Sequence, residues 1–73
     1  MRRANDISDA ELRGFCEWFY SRFKKKETRR QWFETSIEGT FHVPTRDIKD
    51  VVRRMARLEL VEVQRDFVKL LSV

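Results

Sequence analysis

This 73-residue sequence contains one cysteine, one proline and two glycines, and it has no long apolar run. Small secreted domains usually depend on several disulfides, which the single thiol of Cys16 cannot provide. We therefore expect an intracellular protein, located in the cytoplasm and nucleoid or in the nucleus. Without an 18-residue apolar stretch or a signal-peptide core, we expect neither a membrane-spanning helix nor a membrane partner.

Groups that support catalysis or cofactor binding are equally scarce. Two glycines do not make a phosphate-cradling loop, and no HExxH or CxxC motif is present. Cys16 falls on an apolar helical stripe and is interpreted as a small core residue. The only histidine, His42, lies near Pro44, and the sequence nominates no nucleophile or acid as its partner. We expect no enzyme activity, no catalytic residue, no cofactor and no metal.

Positive charge is concentrated in one short segment. The chain has 16 basic and 12 acidic side chains, a net charge of +4. Residues 22–30 alone hold six basic side chains against one acidic, whereas the remainder of the chain is nearly neutral. A local basic segment suggests a polyanionic partner. A solvated surface loop would explain the same composition, and composition alone does not decide between the two.

The first helix is predicted over 9–25. Ser8 and Glu11 have the spacing of a capping box. An apolar stripe follows at steps of three and four residues, formed by Leu12, Phe15, Cys16, Phe19 and Phe23. Residues 1–7 lack periodicity and are predicted to be a flexible tail in front of a domain spanning 8–73.

Two further helices are predicted from similar signals. The second spans 29–37, with a capping box from Thr28 to Gln31 and a stop at Gly39. Residues 40–43 form a short strand or a plain linker. The third helix spans 45–58, with Thr45 as its N-cap. One of its faces is apolar, and the opposite face carries Arg46, Lys49, Arg53 and Arg57, with Asp50 among them.

The apolar period changes from that of a helix to two at Leu60, which predicts a C-terminal β-hairpin. Strands over 60–64 and 67–71 would be joined by Arg65 and Asp66. A two-residue loop would set Val63 opposite Val68 and Val61 opposite Leu70. The predicted fold class is therefore α+β, with two to three helices followed by a C-terminal hairpin.

Residues 55–70 resemble the helix-to-wing junction of winged-helix (winged helix-turn-helix) DNA-binding domains, and the likeness extends over 44–71. In that superfamily a helix ends in a leucine-rich turn that leads into a charged hairpin. Two departures stand out. Glu59 occupies a position where glycine is usual, which implies modest strain or a different turn. The short strand that often pairs with the wing usually precedes the second helix, whereas 40–43 follows it.

The resemblance implies that 45–58 is a recognition helix that lies in the major groove of DNA. It also implies that the wing and the basic segment contact phosphates, and Lys69 on the hairpin could take part. The candidate nucleic-acid-binding residues are Arg46, Lys49, Arg53, Arg57, Arg65, Lys24, Lys25, Lys26, Arg29 and Arg30.

Three partners remain open at this stage. The first is DNA, bound by a small regulatory or architectural protein that could act as a homodimer. The second is another protein, because many winged helices serve as adaptors. The third is RNA, bound through the basic segment. Trp18 and Trp32 could stack on bases, although helical spacing favours core positions; exposure of either would favour a protein interface.

Overall fold

The computed structural model describes residues 2–73, so Met1 lies outside the described residues. The expected α+β class is confirmed, with three helices and a C-terminal hairpin. The elements are α1 (Asp9–Phe23), β1 (Glu27–Arg29), α2 (Arg30–Phe41), α3 (Ile48–Arg57), β2 (Val61–Val63) and β3 (Phe67–Leu70), with short 3-10 turns at Ala4–Asp6 and Thr45–Asp47. The sheet is antiparallel with strand order β1-β3-β2.

Helix α1 begins at the predicted capping box. The Ser8 hydroxyl accepts a hydrogen bond from the Glu11 amide at 3.1 Å, and the Glu11 carboxylate accepts one from the Ser8 amide at 3.1 Å. The Arg2 guanidinium pairs with the same carboxylate at 2.9 Å, and these bonds lower the pKa of Glu11 to about 2. The helix ends at Phe23, before the predicted residue 25, because Lys24 takes a left-handed conformation with φ 58°.

Aromatic rings from α1 and α2 form the centre of the core. The Phe15 ring centroid lies 5.5 Å from that of Phe33 and 5.4 Å from that of Phe41. Phe19 meets Phe33 edge-on at 5.3 Å. Such pairs add about 0.5–1.5 kcal/mol each beyond the area that they bury. Cys16 is fully buried beside them, as expected of a core residue, and burial raises the pKa of its thiol to about 12.

The N-terminal segment, which the sequence predicts to be a flexible tail, packs on the domain from residue 2 onward. Ala4 and Ile7 are buried in the common core. The Arg54 guanidinium donates to the carbonyl oxygens of Ala4 at 2.9 Å and Ile7 at 2.7 Å. The segment has no helical or strand period because it is held by long-range contacts, which leave no local signal in the sequence.

A buried carboxylate joins this segment to the start of α3. Asp47 is 3% exposed and accepts hydrogen bonds from Arg3 Nε at 2.7 Å and from the Ala4 amide at 2.9 Å. The bond from Arg3 holds the pKa of Asp47 below its usual range. Thr45 was predicted to be the N-cap of α3 but does not cap it. Its hydroxyl instead donates a hydrogen bond to the Glu38 carboxylate at 2.8 Å. Helix α3 begins only at Ile48, after a 3-10 turn.

Helix α2 differs from its predicted span of 29–37 at the C-terminal end. It continues through Gly39, at which the sequence predicted its end, and is capped by His42. This residue has φ 57°, and its backbone amide donates a hydrogen bond to the Glu38 carbonyl at 3.0 Å. The segment 40–43 is therefore the end of a helix and a connection, not a strand.

The start of α2 lacks the predicted capping box. No side chain caps this helix end, because Thr28 lies in strand β1 instead. The additional strand of the sheet thus forms at Glu27–Arg29, before the second helix, and pairs with β3.

The predicted hairpin register is confirmed. Val61 lies opposite Leu70 and Val63 opposite Val68. The Gln64 amide donates to the Phe67 carbonyl at 2.8 Å, which closes the two-residue loop at Arg65 and Asp66.

The turn between α3 and β2 is a Schellman motif. The Leu60 amide donates to the Met55 carbonyl at 2.9 Å, and the Glu59 amide donates to the Ala56 carbonyl at 3.0 Å. Glu59 has φ 60°, a region that glycine enters without steric cost. The strain expected from the missing glycine is therefore present at this residue.

We expect Glu59→Gly to raise the free energy of unfolding by about 0.5–1 kcal/mol, because glycine relieves the left-handed strain but adds chain entropy. Glu59→Ala keeps the Cβ while removing the charge, and should change stability much less. Urea denaturation of the three proteins measures the difference. Equal stability of the Gly and Ala variants would show that φ at this position is not strained.

We also expect the contribution of Asp47 to depend on pH. Because the folded-state pKa is lowered, its stabilisation is complete above the unfolded pKa of about 3.9 and is lost as pH falls through the folded value. Asp47→Asn should therefore lower Tm at neutral pH, and the difference between the two Tm values should shrink as pH falls through the lowered folded-state pKa of Asp47. Thermal melts from neutral to acid pH test this, and a constant gap would contradict it.

Candidate nucleic-acid interface

Cations from two helices meet on the outward side of α3. Lys49 and Arg53 border a surface depression of about 340 Å³ together with Arg30, from the first turn of α2. Val52, Ala56 and Val63 complete its lining, and no carboxylate lines it. The depression therefore presents three positive charges over an apolar base, an arrangement that attracts anions.

A second depression, at the hairpin tip, adjoins the first. It is lined by Arg29, Arg30 and Arg65, with Glu34 and Asp66 among the other lining residues. The Arg30 amide donates to the Asp66 carbonyl at 2.9 Å, which fixes the hairpin tip against the start of α2. Arg30 lines both depressions and so connects the cations of α3 with those at the hairpin tip; we call these residues together the cationic surface.

Weak ion pairs leave these cations available to a partner. Arg30 pairs with Glu34 at 3.1 Å. Arg53 lies 3.7 Å from Asp50, with side chains 73% and 61% exposed. Exposed pairs such as Arg53–Asp50, and pairs four residues apart along a helix such as Arg30–Glu34, contribute about 0–1 kcal/mol. Within residues 2–73, no carboxylate lies within ion-pair distance of Lys49, Arg29 or Arg65.

The fold spreads the basic segment 22–30 along strand β1, so that Lys25 and Arg29 line one depression, and Arg29 and Arg30 line the one at the hairpin tip. Lys24, Lys25 and Lys26 are exposed, but they precede β1, whereas Arg29 ends it. The Lys26 carbonyl accepts from the Leu70 amide at 2.6 Å, at the end of the sheet away from the hairpin loop. The three residues of β1 separate Lys26 from Arg30, and the four extended steps between them span about 13 Å. Of this segment, Arg29 and Arg30 line the depression at the hairpin tip, and Arg30 alone also lines the one on α3.

Other candidate cations are exposed but lie apart from this surface. Arg46 and Arg57 flank the two ends of α3 and do not line the depression formed by Lys49 and Arg53. Lys69 has carboxylates as both of its cross-strand neighbours, Glu27 and Glu62, which offset its charge.

A third feature, the aromatic groove, was missed at the sequence level. It has a volume of about 540 Å³, and three partly exposed rings line it, those of Phe23, Trp32 and Phe67. Phe23 was expected in the core stripe but is 37% exposed, and Trp32, for which a core position was favoured, is 60% exposed. The exposure of Phe67 could have been inferred from the strand period, because it alternates with buried Val68.

Neither a metal-binding cluster nor a membrane-spanning helix is present in the described part of the chain. Among residues 2–73, no cluster of three or more His, Cys, Asp or Glu side chains could hold a metal ion. None of the helices over the same range is long and apolar enough to cross a membrane. Comparisons with protein-family models, curated proteins and solved structures found no match.

Proposed function

We propose that this chain is a small winged-helix-like module that binds double-stranded DNA, as a regulatory or architectural protein inside the cell. In this proposal α3 is the recognition helix and the β2–β3 hairpin is the wing. The observation that carries it is the meeting of Arg30, Lys49 and Arg53 around a depression that no carboxylate lines. A helix of ten residues is about 15 Å long, and a major groove about 12 Å wide admits it.

The order of the elements supports the same proposal. A short strand precedes the second helix and pairs with the hairpin, as is usual in winged-helix domains. One of the two departures noted in the sequence therefore disappears. The other departure, Glu59 in place of glycine, remains, but Glu59 adopts the left-handed backbone conformation for which the superfamily commonly uses glycine.

Each group of cations suits a different part of the duplex. Lys49 lies in the first turn of α3 and Arg53 in its middle, on the side that would face base edges, and an arginine fork can donate two hydrogen bonds to guanine. Arg29 and Arg30 stand at the start of α2, a helix end without a side-chain cap, which suits a phosphate. Arg65, at the hairpin tip, would reach the backbone beside the same groove.

A protein partner is the second candidate, and the two exposed tryptophans favour it. Trp18 is 49% exposed and Trp32 is 60% exposed. Tryptophan is enriched among residues that dominate protein–protein binding energies. In that case the domain would be an adaptor, and its cationic surface would serve mainly for solubility.

We expect Arg53→Ala to weaken binding to a duplex by about 5- to 150-fold if it contacts a base. Arg30→Ala should weaken binding to all sequences alike and reduce the slope of log affinity against log salt by about 1. Fluorescence anisotropy with labelled duplexes between about 50 and 200 mM salt measures both effects.

Arg13→Ala is the matched control. Arg13 is an exposed arginine of α1 that forms no ion pair with residues 2–73, and its loss changes the net charge equally. Equal losses for Arg13→Ala and Arg53→Ala would reduce the effect to net charge and refute the recognition-helix role. Absence of a DNA complex at about 100 mM salt, together with co-purification of a protein partner, would favour the adaptor.

A further inference from the structure

The aromatic groove is formed by residues from the ends of three elements. Phe23 is the last residue of α1, Trp32 lies in the first turn of α2, and Phe67 begins β3. The Phe23 and Trp32 ring centroids are 5.9 Å apart. Both rings also border another depression, on the α2 side, so the Trp32 side chain projects between two open spaces. Aromatic surface exposed in this way is available to a flat partner.

The side chains around the aromatic groove are mostly positively charged, which favours a negatively charged partner. Lys25 and Arg29 line it, and the Arg22 guanidinium lies 6.0 Å from the centre of the Phe23 ring. The single lining carboxylate, Glu27, sits opposite Lys69 in the β1–β3 register. A second copy of this chain would bring like charges together at this face, so the occupant should be anionic. Aromatic platforms beside cations are typical of sites for single-stranded nucleic acid.

The groove is continuous with the cationic surface. Arg29 and Phe67 line both the aromatic groove and the depression at the hairpin tip. Arg30 then links the hairpin tip to the depression on α3. A nucleic-acid strand that leaves a duplex on α3 would therefore pass Arg30 and then Arg29 before it reaches Trp32, with Glu34 and Asp66 beside this path.

We infer that the aromatic groove binds unpaired nucleotides, so that the protein prefers a duplex with a single-stranded overhang to a blunt duplex. A base stacks on Trp32, and Lys25 and Arg29 neutralise the adjoining phosphates. The inference rests on the proposed function for the duplex part of the ligand, whereas the groove itself can be tested with a single strand alone.

The two tryptophans allow a direct optical test. Trp18→Phe leaves Trp32 as the only tryptophan, so its fluorescence reports on the groove. We expect the blunt duplex to leave this fluorescence unchanged. The same duplex with a short thymidine overhang, tried at the 5′ and the 3′ end, should quench it and bind about 5- to 150-fold more tightly, the range expected for one base stacked on an aromatic ring.

Matched variants separate stacking from charge. In the wild-type background, Trp32→Ala should abolish the advantage of the overhang while leaving affinity for the blunt duplex unchanged, and Trp32→Phe should restore part of it. Trp18→Ala removes an exposed tryptophan that does not line the groove and should have no effect. Circular dichroism melts establish that each variant is folded.

The outcomes distinguish the two proposals. Equal affinity for blunt and overhanging duplexes, without quenching, overturns the inference and leaves the proposed function standing. Quenching by an isolated thymidine strand without binding to any blunt duplex supports the groove and rejects the proposed function. Quenching by an acidic peptide but by no oligonucleotide overturns the inference and assigns the groove to a protein partner.

Discussion

Backbone hydrogen bonds between β1 and β3 join segments that are about forty residues apart in the chain. At one end the Leu70 amide donates to the Lys26 carbonyl at 2.6 Å, and at the other the Arg30 amide donates to Asp66 at 2.9 Å. These bonds orient the first turn of α2 toward the hairpin tip. Without them, Arg29 and Arg30 would have no fixed position relative to the hairpin, and the cationic surface would be divided.

Neighbouring arginines of α3 have opposite roles. The Arg54 guanidinium binds two backbone carbonyls of the N-terminal segment and pairs with Asp9 at 2.7 Å, so it is a structural group. Arg53, about 100° away around the helix, is 73% exposed along its side chain. The same residue type therefore anchors the N-terminus at one position and faces solvent at the next.

The sequence predicted well those features that depend on local chemistry. The capping box of Ser8 and Glu11, the apolar face of α3 and the register of the hairpin all follow from residues close together in the chain. Strand β1 could not be predicted in this way. Its sequence, Glu-Thr-Arg, has no apolar alternation, and it becomes a strand because β3 offers an edge with which to pair.

The same limit applies to the candidate site. The sequence nominated ten cations, but only the fold shows which of them share a surface: Arg29, Arg30, Lys49, Arg53 and Arg65. Trp32 falls at helical spacing, yet it is exposed because α2 presents Phe33 and Ile37, not Trp32, to the core. Periodicity alone does not distinguish the edge of an apolar stripe from its centre.

Glycine is distributed in an unusual way. Each of the three α-helices is followed within two residues by one with left-handed backbone, Lys24, His42 and Glu59, while both glycines, Gly14 and Gly39, lie within helices where nothing approaches an added Cβ within 4 Å. Natural proteins are rarely at their stability optimum. Gly14, Gly39, His42 and Glu59 line neither cationic depression. Substitutions at these four positions could therefore raise the stability of the domain without altering the surface by which we propose it binds DNA. Stability and DNA recognition can thus evolve, or be engineered, independently.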